Sequence, residues 1–116
     1  MRNERRHSKF GNRRTVVDGI SFDSQKEAVR YCELKLLEKA GEIHGLDRQV
    51  WFVLAPGVHI KGASRKSPAL RYRADFAYIE KDGTAVVEDV KGYRDAIYRI
   101  KRHLMKSVHN IDILET

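Results

Sequence analysis

The 116-residue chain has one cysteine, two prolines and one tryptophan, and its apolar residues never gather into a long run. With Cys32 alone, no intramolecular disulfide can form and no cysteine cluster can hold zinc. His7, His44, His59, His103 and His109 include no pair at helical ligand spacing, so a histidine-based metal centre is disfavoured as well. A bilayer-spanning helix needs roughly 18 consecutive apolar residues, and the basic N-terminus lacks the apolar centre of a signal peptide. The expected location is therefore the cytoplasm. The length leaves no room for a second full domain.

Positive charge is abundant. Twenty-three lysines and arginines against 16 acids give a formal charge of +7, which favours a polyanionic partner because neutralised phosphates release condensed counterions. Nucleic acid comes first and an anionic membrane second. An RNA-recognition module is the weaker form of this idea, since no glycine-aromatic strand motif is present.

Along the chain, residues 1–14 carry Arg2, Arg5, Arg6, Lys9, Arg13 and Arg14 against Glu4 and read as a flexible basic arm. The domain proper is expected over 15–116. Thr15 to Phe22 encloses the turn dipeptide Asp18-Gly19, as in a small hairpin. Ser24-Gln25-Lys26-Glu27 has the form of a capping box, and good helix formers follow to Ala40 and Gly41, so a helix is expected there. Val29, Cys32, Leu36 and Ala40 share one face of it; Tyr31 and Leu34 lie on the flank beside Glu27, and wide burial against a sheet is expected. Strand candidates centre on Val50 to Leu54, Tyr72 to Glu80 and Ala85 to Lys91. The basic segment between Gly57 and Leu70, with Lys61, Arg65 and Lys66, reads as a mobile loop or a long hairpin tip. From about Asp95 to Val108 a second helix is expected, with Ile97, Ile100, Leu104 and Val108 as its core stripe and Arg99, Arg102 and Lys106 on another face. Ile111, Ile113 and Leu114 suggest a final strand, which a helical crossover would place parallel to its neighbour.

The chemistry-bearing residues lie in Arg71-Tyr72-Arg73-Ala74-Asp75-Phe76 and Val87-Glu88-Asp89-Val90-Lys91-Gly92. Strand alternation puts Asp89 and Lys91 on one face and Glu88 on the other. An aspartate and a lysine on an otherwise apolar strand are costly to bury unless paired or metal-bound. Whether Asp75 joins them depends on the intervening turn. A two-residue Asp82-Gly83 loop sets Asp75 opposite Val90, on the wrong face; a three-residue Lys81-Asp82-Gly83 loop with left-handed Gly83 sets it opposite Asp89. Two carboxylates so paired repel, and a bridging cation resolves the repulsion.

These motifs, together with Phe22-Asp23-Ser24-Gln25-Lys26-Glu27 and Leu36-Leu37-Glu38-Lys39-Ala40-Gly41-Glu42-Ile43, resemble the PD-(D/E)XK nuclease superfamily, and within it a group of small phage and prophage proteins. The resemblance runs from about Phe10 to Glu115, with Ala74 in place of the nominal proline. It implies an α/β, restriction-endonuclease-like core of helix, three-stranded antiparallel meander, helix and strand around a mixed sheet. It also implies an Mg²⁺- or Mn²⁺-dependent endonuclease acting on DNA, branched or recombination intermediates among its substrates, that leaves a 5′-phosphate. Asp75, Asp89 and Lys91 match the motif's two acids and its lysine. Glu27 matches the helix-borne ligand of phage junction-resolving enzymes, and the Val90 carbonyl is a further ligand by the same resemblance. The location would then be the host cytoplasm. DNA would be held by Arg13, Arg14, Lys61, Arg65, Lys66, Arg73, Arg99 and Arg102, and cutting both strands would call for a homodimer. The competing expectation is a phage accessory protein that binds DNA with the same fold but does not cut it.

Overall fold

The computed structural model describes residues 14–90 and 94–116. The proposed arm up to Arg13, and Lys91, lie outside the described residues. In chain order the elements are β1 (Thr15–Val17), β2 (Ile20–Phe22), α1 (Gln25–Lys39), β3 (Ile43–Ala55), β4 (Leu70–Glu80), β5 (Ala85–Asp89), α2 (Ala96–His109) and β6 (Leu114–Glu115). β1 and β2 make a separate hairpin, and its turn residues Asp18 and Gly19 both take positive φ, as a two-residue type I′ turn requires. The main sheet has the order β3-β4-β5-β6, with β3, β4 and β5 antiparallel and β6 parallel to β5. Among the described residues the architecture is thus α/β, with a mixed four-stranded sheet and two helices.

Each helix starts where the sequence offers a cap. Ser24 Oγ accepts from the Glu27 amide at 3.1 Å, and the Asp95 carboxylate accepts from the Tyr98 amide at 2.8 Å. α1 ends at Ala40 ahead of Gly41, whose φ of +80° continues the chain in the left-handed region. The helices cover opposite faces of the sheet, as the alternation of β5 shows: Val86 and Val90 join the α1 core and Val87 the α2 core. Around α1 the core contains Phe22, Ala28, Tyr31, Leu34, Ile43, Phe76 and Tyr78. Around α2 it contains Leu54, Tyr72, Ala74, Val87, Tyr98 and Met105.

Two helix faces differ from the sequence expectation. On α1 the flank beside Glu27 is the buried one, because Tyr31 lodges between the rings of Phe22 and Phe76 (centroids 5.2 and 6.4 Å) and brings Ala28 and Leu34 inward with it. Val29, Cys32 and Leu36 face outward, with Leu36 69% exposed. On α2, Ile97, Ile100 and Val108 point away from the core, Ile97 being 64% exposed. Tyr98 and Met105 point in, held there because the Tyr98 hydroxyl donates to Glu115 of β6 at 2.6 Å. Of the expected stripe on this helix, Leu104 alone packs against the core beside them.

β3 is also longer than the expected Val50 to Leu54. Its first half, Ile43 to Gln49, contains Gly45 and Gln49 at positive φ and a register shift between His44 and Asp47. Those irregularities hid the strand from a period-two reading. They have a structural effect too. The even residues of β4 divide between the two cores, Phe76 and Tyr78 on the α1 side and Tyr72 and Ala74 on the α2 side. The change falls at Asp75, where the ladder to β3 lacks a Gln49 pairing. Of the two readings of the Gly57 to Leu70 segment, the hairpin tip is the one found, since Val58 and Ser67 exchange both backbone hydrogen bonds at 2.9 and 2.7 Å.

Candidate carboxylate site

The β4–β5 turn takes the three-residue form. The Glu80 amide donates to the Thr84 carbonyl at 2.8 Å, the Gly83 amide donates to the Glu80 carbonyl at 2.9 Å, and Gly83 has φ +93°. The register that follows pairs Ile79 with Ala85, Ala77 with Val87 and Phe76 with Glu88. One step further along, Asp75 stands opposite Asp89.

Asp89 is only 3% exposed, and its Oδ2 accepts from the Tyr72 hydroxyl at 2.8 Å. Asp75 accepts from the Val90 amide at 2.8 Å and is hydrogen-bonded to the Asp89 carboxyl. Burial first, then the bond to Asp89 and its charge, hold the Asp75 carboxyl well above the usual carboxylate range. Asp75 therefore favours its neutral form beside Asp89. Tyr72 is affected in turn: burial and the neighbouring Asp89 push its hydroxyl far above the ordinary phenol range, so it acts as a donor.

Glu27 reaches the same region from the first turn of α1. Its Oε2 accepts from Gln49 Nε2 at 3.2 Å and faces the Arg48 guanidinium at 3.9 Å. Burial raises its pKa; Arg48 and, more weakly, Arg73 oppose the shift, while Asp23 and Asp89 add to it. Glu27 thus stands in the field of the aspartate pair. Among the described residues, however, no three carboxylate, histidine or cysteine side chains converge closely enough to form a ready-made metal cage. Three carboxylates without a cation repel, and Glu27 is drawn instead to Arg48 and Gln49. Arg48 itself lies over the Phe22 ring at 4.5 Å, and its Nε is buried without a partner.

Glu88 sits on the opposite face, fully buried. It accepts from Arg30 Nε at 2.6 Å and Nη2 at 3.1 Å, from the Tyr78 hydroxyl at 2.7 Å and from Thr116 Oγ1 at 3.0 Å. Every lone-pair direction is used within the fold, as befits a structural acid.

The residues expected to hold DNA are spread over several surfaces. Lys61, Arg65 and Lys66 are exposed on the hairpin tip, and Arg14 is exposed and paired with Asp23 at 3.1 Å. Arg73 lies exposed over the Trp51 ring. Arg99 is exposed and donates to the Arg94 carbonyl at 3.1 Å. Arg102 is tied down by Glu115 at 3.0 Å, which makes it a link between α2 and β6 first. Arg13 and Lys91 lie outside the described residues.

Sequence reasoning missed Arg48, Gln49 and Tyr72 as partners of the acids. Tyr72 was discoverable, being three residues before Asp75 in a strand whose hydroxyl needs a buried acceptor. Arg48 and Gln49 carried no such signal, because the irregular half of β3 that presents them does not alternate.

Residues 7–113 match the model of a family described as protein of unknown function (DUF1064). The chain belongs to that family. The family segment includes Glu27, Asp75, Asp89, Lys91 and the whole basic hairpin tip, so both the acids and the cationic surface fall inside it. No curated protein and no solved structure matches the chain. Among the described residues, no helix is long and apolar enough to cross a membrane.

Proposed function

We propose that the protein is a metal-dependent DNA endonuclease with the restriction-endonuclease-like core of the PD-(D/E)XK superfamily. The observation that carries this reading is the pairing of Asp75 with Asp89 across adjacent strands, in the field of Glu27 and on a chain with a charge of +7. Two facing carboxyls that repel when both are ionised have little structural value. They are stable with a cation between them.

The donor set suits Mg²⁺ or Mn²⁺, since hard divalent cations prefer carboxylate and carbonyl oxygens. Asp75 and Asp89 would hold the ion, with Glu27 and the Val90 carbonyl as further ligands. When bound, it would supply an activated water and neutralise charge growing on the phosphoryl oxygens. The protein's own groups prepare that chemistry. Tyr72 aims the Asp89 carboxylate, and the Val90 amide fixes Asp75. Lys91, the lysine of the sequence motif, would orient the attacking water and stabilise the developing charge. Arg73, the hairpin-tip lysines and arginine, Arg14 and Arg99 would hold the backbone on either side of the scissile bond, with Arg13 and Arg102 as further contacts. The product would carry a 5′-phosphate. Two copies would be needed to cut both strands of a duplex or a junction, in the cytoplasm of the cell, or of the host if the chain is phage-encoded.

The test incubates wild type and Asp89→Ala with branched, single-stranded and duplex DNA in the presence and absence of Mg²⁺. Cleavage by wild type alone, dependent on the ion, is the expected result. Equal activity of the two proteins would sink the assignment; no cleavage by either, with strongly salt-dependent DNA affinity untouched by Asp89→Ala, would favour the non-cutting DNA-binding protein.

A further inference from the structure

The chain's one tryptophan is on a surface where its burial would be expected. Trp51 is 51% exposed on β3, opposite Arg73 of β4 in the strand register. The Arg73 guanidinium lies 5.4 Å from the ring centroid and that of Arg71 lies 4.2 Å from it. Val53 and Leu70 beside them are also exposed. This part of the sheet faces away from α2, because Phe52, Leu54, Tyr72 and Ala74 between these residues all point into the α2 core.

We infer that Trp51, Arg71 and Arg73 form a platform on which an unpaired DNA base stacks, on the Glu27 side of the carboxylate site. Three observations favour this ligand. A half-exposed aromatic ring with two guanidinium groups over it offers stacking surface and backbone charge together, the combination by which proteins hold single strands without reading sequence. The formal charge of +7, and the exposed Lys61, Arg65 and Lys66 on the tip that joins the same two strands, complement a polyanion. Finally, the platform lies on the side of the sheet from which Glu27 approaches the acids. Arg73 is two residues from Asp75 on β4, and Trp51 is two residues from Gln49, which donates to Glu27. Two residues of strand span about 7 Å, roughly two steps of a stacked nucleotide strand. Arg73 already acts on Glu27 through its charge.

The inference rests on the nuclease reading for the identity of the polymer and deepens it by naming the substrate structure. DNA with unstacked bases, at a branch, flap or single-stranded end, would be preferred over continuous duplex. Its test is made by binding, so that it can fail separately from cleavage. Because Trp51 is the one tryptophan in the chain, its fluorescence reports on this position alone. Metal-free wild type in chelator is titrated with a short oligothymidylate and with a duplex of equal length, while anisotropy of labelled oligonucleotide measures affinity for wild type, Trp51→Phe and Trp51→Ala. The oligothymidylate should quench Trp51 saturably and the duplex much less. Trp51→Ala should weaken single-strand binding about 5- to 150-fold, the effect of losing one stacked base, and Trp51→Phe should retain most of the affinity. Absence of quenching on wild type, or unchanged binding by a folded Trp51→Ala, would overturn the platform; if Trp51→Ala does not fold, the wild-type quenching decides alone. Quenching without any cleavage would support the platform and count against the nuclease. Cleavage without quenching would do the reverse.

Discussion

Asp75→Asn is expected to raise the thermal stability of the metal-free protein at alkaline pH while removing metal-dependent cleavage. In the wild type the folded-state pKa of Asp75 is raised, first by burial and then by Asp89. Protonated Asp75 is therefore the form that the fold prefers. Its contribution is fully present below the ordinary carboxylate pKa of about 4 and is lost as pH rises through the higher folded-state value. Asparagine keeps an oxygen to accept from the Val90 amide and gains an amide that can donate to Asp89, with no charge to titrate. The variant and wild type should accordingly melt together near pH 4 and separate as pH rises. By pH 8 the gap should be on the order of 2 kcal/mol, or roughly 5–10 °C for a domain of this size. Adding Mg²⁺ should reverse the order, since a ligand that binds only the native wild type stabilises it by mass action. Cleavage should fall by at least about a hundredfold, given that loss of a mere outer partner of a metal site costs 10- to 100-fold. Calorimetry across pH with and without Mg²⁺ checks both halves. A wild type that is more stable at pH 8 than at pH 5 without metal would show that the acid pair is not the strained element described above.

The parts of this architecture legible in the sequence are those set by local chemistry. Ser24 as a cap and Asp18-Gly19 as a hairpin turn were readable, and a left-handed Gly83 was one of two open turn readings, because each supplies a group that one backbone geometry requires. The Gly83 turn mattered most, since its three-residue form, and not the two-residue alternative, sets Asp75 opposite Asp89. What could not be read depends on competition between distant surfaces. Of the stripe Ile97, Ile100, Leu104 and Val108, only Leu104 packs inward, and the rest lost the inner face of α2 to Tyr98 and Met105. Tyr98 had a partner in Glu115, a residue on another strand that no local window contains. In the same way, positive φ at Gly45 and Gln49 concealed half of β3 and, with it, the Arg48 and Gln49 groups that face Glu27.

Arg30→Ala is expected to be the most destabilising single substitution outside the apolar cores. Arg30 from α1 grips Glu88 through two of its nitrogens, and Glu88 is wholly removed from water. Removing the guanidinium leaves a buried carboxylate with only the hydroxyls of Tyr78 and Thr116 as donors. Stranding a buried charge in this way costs about 3–5 kcal/mol, a large share of the roughly 5–15 kcal/mol that keeps a domain folded. Urea denaturation followed by circular dichroism should show a correspondingly earlier midpoint with an unchanged slope. Glu88→Gln should cost less, because the amide oxygen can still accept from the Tyr78 hydroxyl while the amide nitrogen donates to Thr116 Oγ1, and adding it to Arg30→Ala should recover much of the loss by removing the orphaned charge. A folded Arg30→Ala within about 1 kcal/mol of wild type would mean that Glu88 is neutral or hydrated, contrary to this description. The pair also bears on the site. Glu88 and Asp89 are adjacent acids on one strand, and a one-residue slip would exchange their faces. With Arg30 holding Glu88 on the α1 side, Asp89 is committed to the side of Tyr72 and Asp75. Cleavage should therefore survive in Glu88→Gln and be lost in Asp89→Ala, although the two positions differ by a single step of the chain.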